Sequence, residues 1–204
     1  SSGVLTKKVA DAYLHDLEMV DLPMATAIEP GVAEVIVGQG DLELDGLIEL
    51  SDELAVILSK HQGNLSLSGL AELSDNAVQA LAAHKGNLNL SGLTTLSNAE
   101  AQELSRHEGG LDFSGLVEIS NSAAELLAKS VGTLALEGLE SLENAALAKK
   151  LAGQEGDLSL ASLKELSDVA AAALAESKGS LKLPKLTSLE NVSLAEKLAG
   201  QGGD

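Results

Sequence analysis

His61, His84 and His107 recur every 23 residues, each two places before a glycine. Imidazoles at one position in consecutive copies of a unit invite a metal-binding reading. Geometry argues against it. If the copies stack, their helix ends lie ~8–10 Å apart, whereas zinc holds its nitrogens at ~2.1 Å. Two neighbouring rings reach one ion at best. No third ligand follows, because the next copies carry Ser130, Gln154 and Ser177. The residues therefore read as polar side chains at helix C-termini, where the helix dipole favours them.

A second cluster, Asp41, Glu43 and Asp45, alternates along one short segment. Alternate strand residues are ~6.8 Å apart, too far for three carboxylates to hold one calcium ion, and the glycine spacing of a calcium loop is missing. The cluster reads as a solvated acidic edge. The sequence contains no GxSxG, no glycine-rich phosphate loop with lysine, no HExxH and no CxxC. The serines and aspartates belong to a repeat. Near-identical copies also lack the asymmetry that catalysis requires, so the expectation is no enzyme, no cofactor and no metal. Asn64, Asn89 and Asn191 fall in N-x-S sequons, which matter only in a glycosylating host.

The balance of the chain narrows its partners. Thirty-one acidic and 13 basic residues leave a formal charge of −18, with Arg106 the only arginine. Such a chain repels nucleic acid and anionic membranes. No apolar run approaches the ~18 residues of a membrane span, so no membrane insertion is expected. There are no cysteines and only two aromatics, Tyr13 and Phe113, so the core must be built from Leu, Ala, Val and Ile.

The elements that carry these residues follow from the repeat. Glycines at 40, 63, 86, 109, 132, 156, 179 and 203 bound seven units of 23 or 24 residues. Each unit opens with a pair such as Leu65/Leu67 or Leu111/Phe113, the alternation of a strand with one buried face. Leucines follow at steps of three, as in Leu70 and Leu73. Next comes an acidic or amide residue (Asp52, Asp75, Asn98, Asn121, Asn144, Asp168, Asn191), expected to cap a helix. Val78, Leu81 and Ala82 typify the helical stripe, and the glycine is expected to end the helix. Units five and seven have one extra residue after their Asn, which predicts a helix starting one residue earlier. A short helix and a short strand are each marginal alone, but stacking pairs the strands and packs the helices behind them. The expected fold is an α/β solenoid: a right-handed stack of strand–helix units with a single parallel sheet.

Residues 20–39 read as a degenerate first rung, with Val20/Leu22 as strand and Pro30 at a helix start, ahead of the seven full repeats at 40–203. Residues 1–19 read as an N-terminal capping helix. The chain stops at "GQGGD", the letters that open a new rung at 153–157 as "GQEGD". The expectation is a segment of a longer repeat protein. Its last rung, with Leu181, Leu183, Leu186, Leu194 and Leu198, should offer an apolar side and a strand edge to self-association.

The LxL pairs, with corners "LTTL" at 93–96 and "LTSL" at 186–189, resemble the leucine-rich repeat superfamily over residues 20–204, and most closely its short bacterial repeats of about 23 residues. Leu47, Leu70 and Leu93 stand where the usual repeat places asparagine, and the helical segments lack the Ala-Phe pair of the short bacterial type. The resemblance implies a non-catalytic scaffold for protein interaction. The alternative is a structural spacer or stalk of a bacterial surface protein. The binding positions it implies lie on the exposed sheet face: Glu43, Ser66, Asn89, Asp112, Ser159 and Lys182. Flanking rows, Asp41, Asn64, Asn87, Gly110, Thr133 and Asp45, Ser68, Ser91, Ser114, share that face. All are small and polar, without the Trp, Tyr and Arg that dominate protein hot spots.

Overall fold

A computed structural model describes residues 4–6, 24–38 and 40–201. Over these the chain is an α/β solenoid. In chain order the elements are β1 (Val4–Leu5), β2 (Ala27–Ile28), α1 (Pro30–Ile36), β3 (Leu42–Glu43), α2 (Asp52–Leu58), β4 (Leu65–Ser66), α3 (Asp75–Leu81), β5 (Leu88–Asn89) and α4 (Asn98–Leu104). They continue through β6 (Leu111–Asp112), α5 (Asn121–Leu127), β7 (Leu134–Ala135), β8 (Ser141–Leu142), α6 (Ala145–Ala152), β9 (Leu158–Ser159), β10 (Glu165–Leu166), α7 (Asp168–Ala175), β11 (Leu181–Lys182) and α8 (Val192–Gly200).

Strands β3 to β7 pair in parallel as one five-stranded sheet, and successive helices pack behind it. The register equals the sequence period: Leu42 faces Leu65, Leu65 faces Leu88, Leu88 faces Leu111 and Leu111 faces Leu134. Between the layers each full rung before the last buries the leucines of its LxL pair, the leucine (Leu47 to Leu163) three residues on, and the helical stripe. In the second rung these are Leu65, Leu67, Leu70, Ala77, Val78 and Leu81. Phe113 is the one aromatic in the described core and is fully buried.

Local chemistry differs from the expectation in three places. The cap of the regular rungs is the serine one residue earlier: the Ser74 hydroxyl accepts from the Ala77 N–H, and Ser51, Ser97, Ser120 and Ser167 do the same in their rungs. Only the 24-residue units use asparagine, with Asn144 and Asn191 accepting from Leu147 and Leu194. There Glu143 and Glu190 are the added residues, placed before the cap, so these helices do not start early. The glycines do not end the helices either. Helix α3 stops at Leu81, five residues before Gly86. Gly86 sits where two rungs touch through their main chains: a Cβ built on it would lie 2.0 Å from the Gly63 carbonyl oxygen.

The single sheet is interrupted. Strands β9 and β11 form a separate parallel pair, with no ladder between β7 and β9. Gln154 accounts for the break. Its side-chain amide accepts from the Leu134 N–H at 2.5 Å and donates to the Leu134 carbonyl at 3.0 Å, taking the place of the next strand. A second ladder crosses the same junction at the corner, where β8 pairs with β10. Gln154→Ala is expected to strip both partners from the Leu134 peptide, destabilising the rung by about 1–3 kcal/mol. Faster amide exchange at Leu134, with Leu88 unchanged, would register it; unchanged Leu134 exchange would refute it.

At the N-terminus the expected cap at 1–19 and the strand at Val20/Leu22 lie outside the described residues, except for residues 4–6. There Val4–Leu5 is a strand, and Leu5 pairs in parallel with Ile28. The helix expected at Pro30 is present. In the last rung Leu181 and Leu194 are buried, while Leu183, Leu186 and Leu198 are half-buried; their counterparts Leu160 and Leu163 are fully covered. The strand edge is not bare at Leu181, because Gln201 takes its N–H (2.7 Å) and its carbonyl (2.9 Å), as Gln154 does for Leu134.

Candidate functional site

The described sheet face carries a shallow groove of about 500 Å³ running across β3 to β7. Two rows of side chains edge it: Asp41, Asn64, Asn87, Gly110 and Thr133, then Glu43, Ser66, Asn89, Asp112 and Ala135. The alternation of each strand sends its leucines inward, so the residue between them faces out. Identical register then aligns the outward residues. Of the six expected binding positions, Glu43, Ser66, Asn89 and Asp112 meet in this groove. Ser159 and Lys182 lie on the separate β9–β11 pair.

Most of these polar groups already serve the scaffold. The Asp41 carboxylate accepts from the Asn64 backbone and side chain at 2.9 and 3.1 Å. Asn64 Oδ1 then accepts from the Asn87 N–H at 3.1 Å, and Asn87 Oδ1 from the Gly110 N–H at 2.8 Å. In the next row the Asn89 amide donates to the Ser66 hydroxyl, which donates to Asp45. Asp112 accepts from the Ser114 N–H at 2.8 Å. Lys182 is 3.9 Å from Asp157, an exposed pair of little energetic weight.

Asp41 and Asp45 stay ionised at neutral pH. Hydrogen bonds from the Asn64 backbone and side chain hold the Asp41 carboxyl below its usual range. Partial burial pulls Asp45 upward, but donors on Ser66 and Ser68 outweigh it and hold that carboxyl low as well. The groove therefore carries acidic side chains at its first rung, amides and a hydroxyl on the next two, and a further carboxylate, Asp112, on the fourth. Among the described residues no group of three His, Cys, Asp or Glu side chains converges on a point, and no helix is long and apolar enough to cross a membrane.

The histidines are not at the surface. His61, His84 and His107 are at most 1% exposed, and their rings stack with centroids 6.0 Å apart and planes within 8° and 14° of parallel. Parallel rings do not converge their nitrogens. They follow the helix ends as expected, but as a buried column rather than as solvated polar side chains. Its hint in the sequence was the small Ser130 and Ser177 at the same position in later rungs. There both serines are buried, and Lys150 and Lys197 from the following rung donate to their carbonyls at 2.7 Å.

No protein-family model matches the chain, and no curated protein matches it.

Proposed function

We propose that the protein is a non-catalytic, leucine-rich-repeat-like scaffold that presents its sheet groove to a protein partner. The observation that carries this reading is the groove itself, which spans five rungs in register and is edged by polar side chains already held in place. A surface fixed before binding loses little side-chain entropy on contact, and that loss is a main cost of association. Low aromatic content points to a polar, moderate-affinity contact.

The test is a site-specific photo-crosslinker, placed in the native host at Glu43 or Asn89 in the groove and at exposed Gln79 on α3. Discrete adducts from the two groove positions alone would support the reading. Equal labelling from Gln79, or no adduct from the groove, would reject it. The second reading, a spacer that holds another domain at a distance, draws on the same hydrogen bonds: groove side chains committed to the scaffold need no ligand. It expects no adduct from any of the three positions.

A further inference from the structure

We propose that the His61–His84–His107 column is an acid-responsive latch, whose protonation loosens the first three full rungs while the later rungs stay closed. The column joins those rungs through the turns that follow α2, α3 and α4. Its completed hydrogen bonds are those of neutral rings. Gly38 N–H donates to His61 Nδ1 at 3.1 Å, so that ring carries its proton on Nε2, where no acceptor completes a hydrogen bond. His107 Nε2 donates to the Gly86 carbonyl at 2.9 Å, leaving Nδ1 buried without a partner. Both nitrogens of His84 lie near the His61 and Gly63 backbone without a hydrogen bond of good geometry.

A proton added to His61 Nδ1 must displace the Gly38 N–H, which breaks a tie between rungs. A proton added to His107 Nδ1 finds the Ala82 backbone nearby but no acceptor in hydrogen-bond geometry. Charging two neighbours sets like charges 6.0 Å apart, centre to centre, away from water.

The ionisable groups around the column do not relieve this. Lys60, Lys85 and Arg106 adjoin the three histidines along the chain, and Glu108 adjoins His107. Lys85 and Glu108 act on His107 in opposite senses and are themselves paired at 2.9 Å; Asp41 faces His61 from the preceding turn. Burial, followed by its two neighbours, pushes His84 below the usual histidine range, and burial also pushes His107 down. A folded-state value below the unfolded one means that the open form binds the extra proton. The stabilisation is therefore complete above the unfolded value of about 6.5 and is lost as pH falls below it. Later rungs carry Ser130, Gln154 and Ser177 at this place, so they lack the titrating group.

The test is amide exchange at pH 7.5 and 5.5, corrected for intrinsic rates, a window in which ordinary carboxylates scarcely titrate. Each ring held neutral changes the opening equilibrium by up to about tenfold per pH unit. Protection of the ladder donors Leu65 and Leu88 is expected to fall at least tenfold, with Leu158 unchanged. The triple variant His61→Ser, His84→Ser, His107→Ser should lose that pH dependence; His15 is present in both proteins and cancels. A uniform loss across all rungs, or a loss that persists in the triple variant, would overturn the proposal. Should the variant not fold, nitrogen shifts of the wild-type imidazoles decide: the proposal fails if the three rings take up protons while Leu65 and Leu88 stay protected.

Discussion

Gly86→Ala is expected to destabilise the protein by about 3 kcal/mol, at the upper end of what overpacking costs. The new Cβ would lie 2.0 Å from the Gly63 oxygen, 2.7 Å from its carbonyl carbon and 3.1 Å from the Asn64 nitrogen. All three are main-chain atoms, so no side chain can rotate away. Relief requires two rungs to separate, which also disturbs the Leu65–Leu88 pairing beside them. Gly31→Ala is the control. It lies within α1 with nothing inside 4 Å of the added carbon, and alanine there should stabilise by about 0.5–1 kcal/mol. Urea titration of both variants measures the difference; a Gly86→Ala midpoint equal to wild type would refute the close-contact account.

Phe113→Ala is expected to cost about 3–5 kcal/mol, the range for emptying a buried aromatic site. Leu90 and Leu136, its counterparts in the adjoining rungs, are buried with it, so the void would open inside the stack. Phe113→Leu should cost less than about 1.5 kcal/mol, because leucine occupies the equivalent position in every other full rung, from Leu44 to Leu183. The ratio of the two losses is the informative quantity. Similar losses for both would mean that Phe113 makes a contact that leucine cannot replace.

The period, the inward leucines and the aligned outward rows were legible because each depends on residues within one unit. Leu65 and Leu67 declare a buried face whatever lies next door. The cap position was displaced by one because Ser74 and Asp75 are both good capping residues and only the backbone path chooses between them. His84 was misplaced because imidazole is at home in water and in cores alike, and its burial depends on the rings 23 residues to either side. Gln154 was visible as part of a longer unit, but a side-chain amide that pairs with a main chain 20 residues earlier has no local signature. The hydrogen bonds that occupy the groove side chains are of the same long-range kind, such as Asn87 reaching Gly110 across 23 residues.

The glycine contacts bear on how such a gene changes length. Between Gly40 and Gly132 every rung meets its neighbour through the same atoms, a potential Cβ 1.8–2.1 Å from the preceding glycine oxygen. Unequal recombination that removes or duplicates residues 63–85 would join main chains that already share this geometry, so copy number inside the block can drift without a new junction having to be invented. The glutamine-ended unit at 132–155 differs, since its Gln154 closes the strand it follows. A crossover placed there moves the closure along with the rung, and the block acquires a new end.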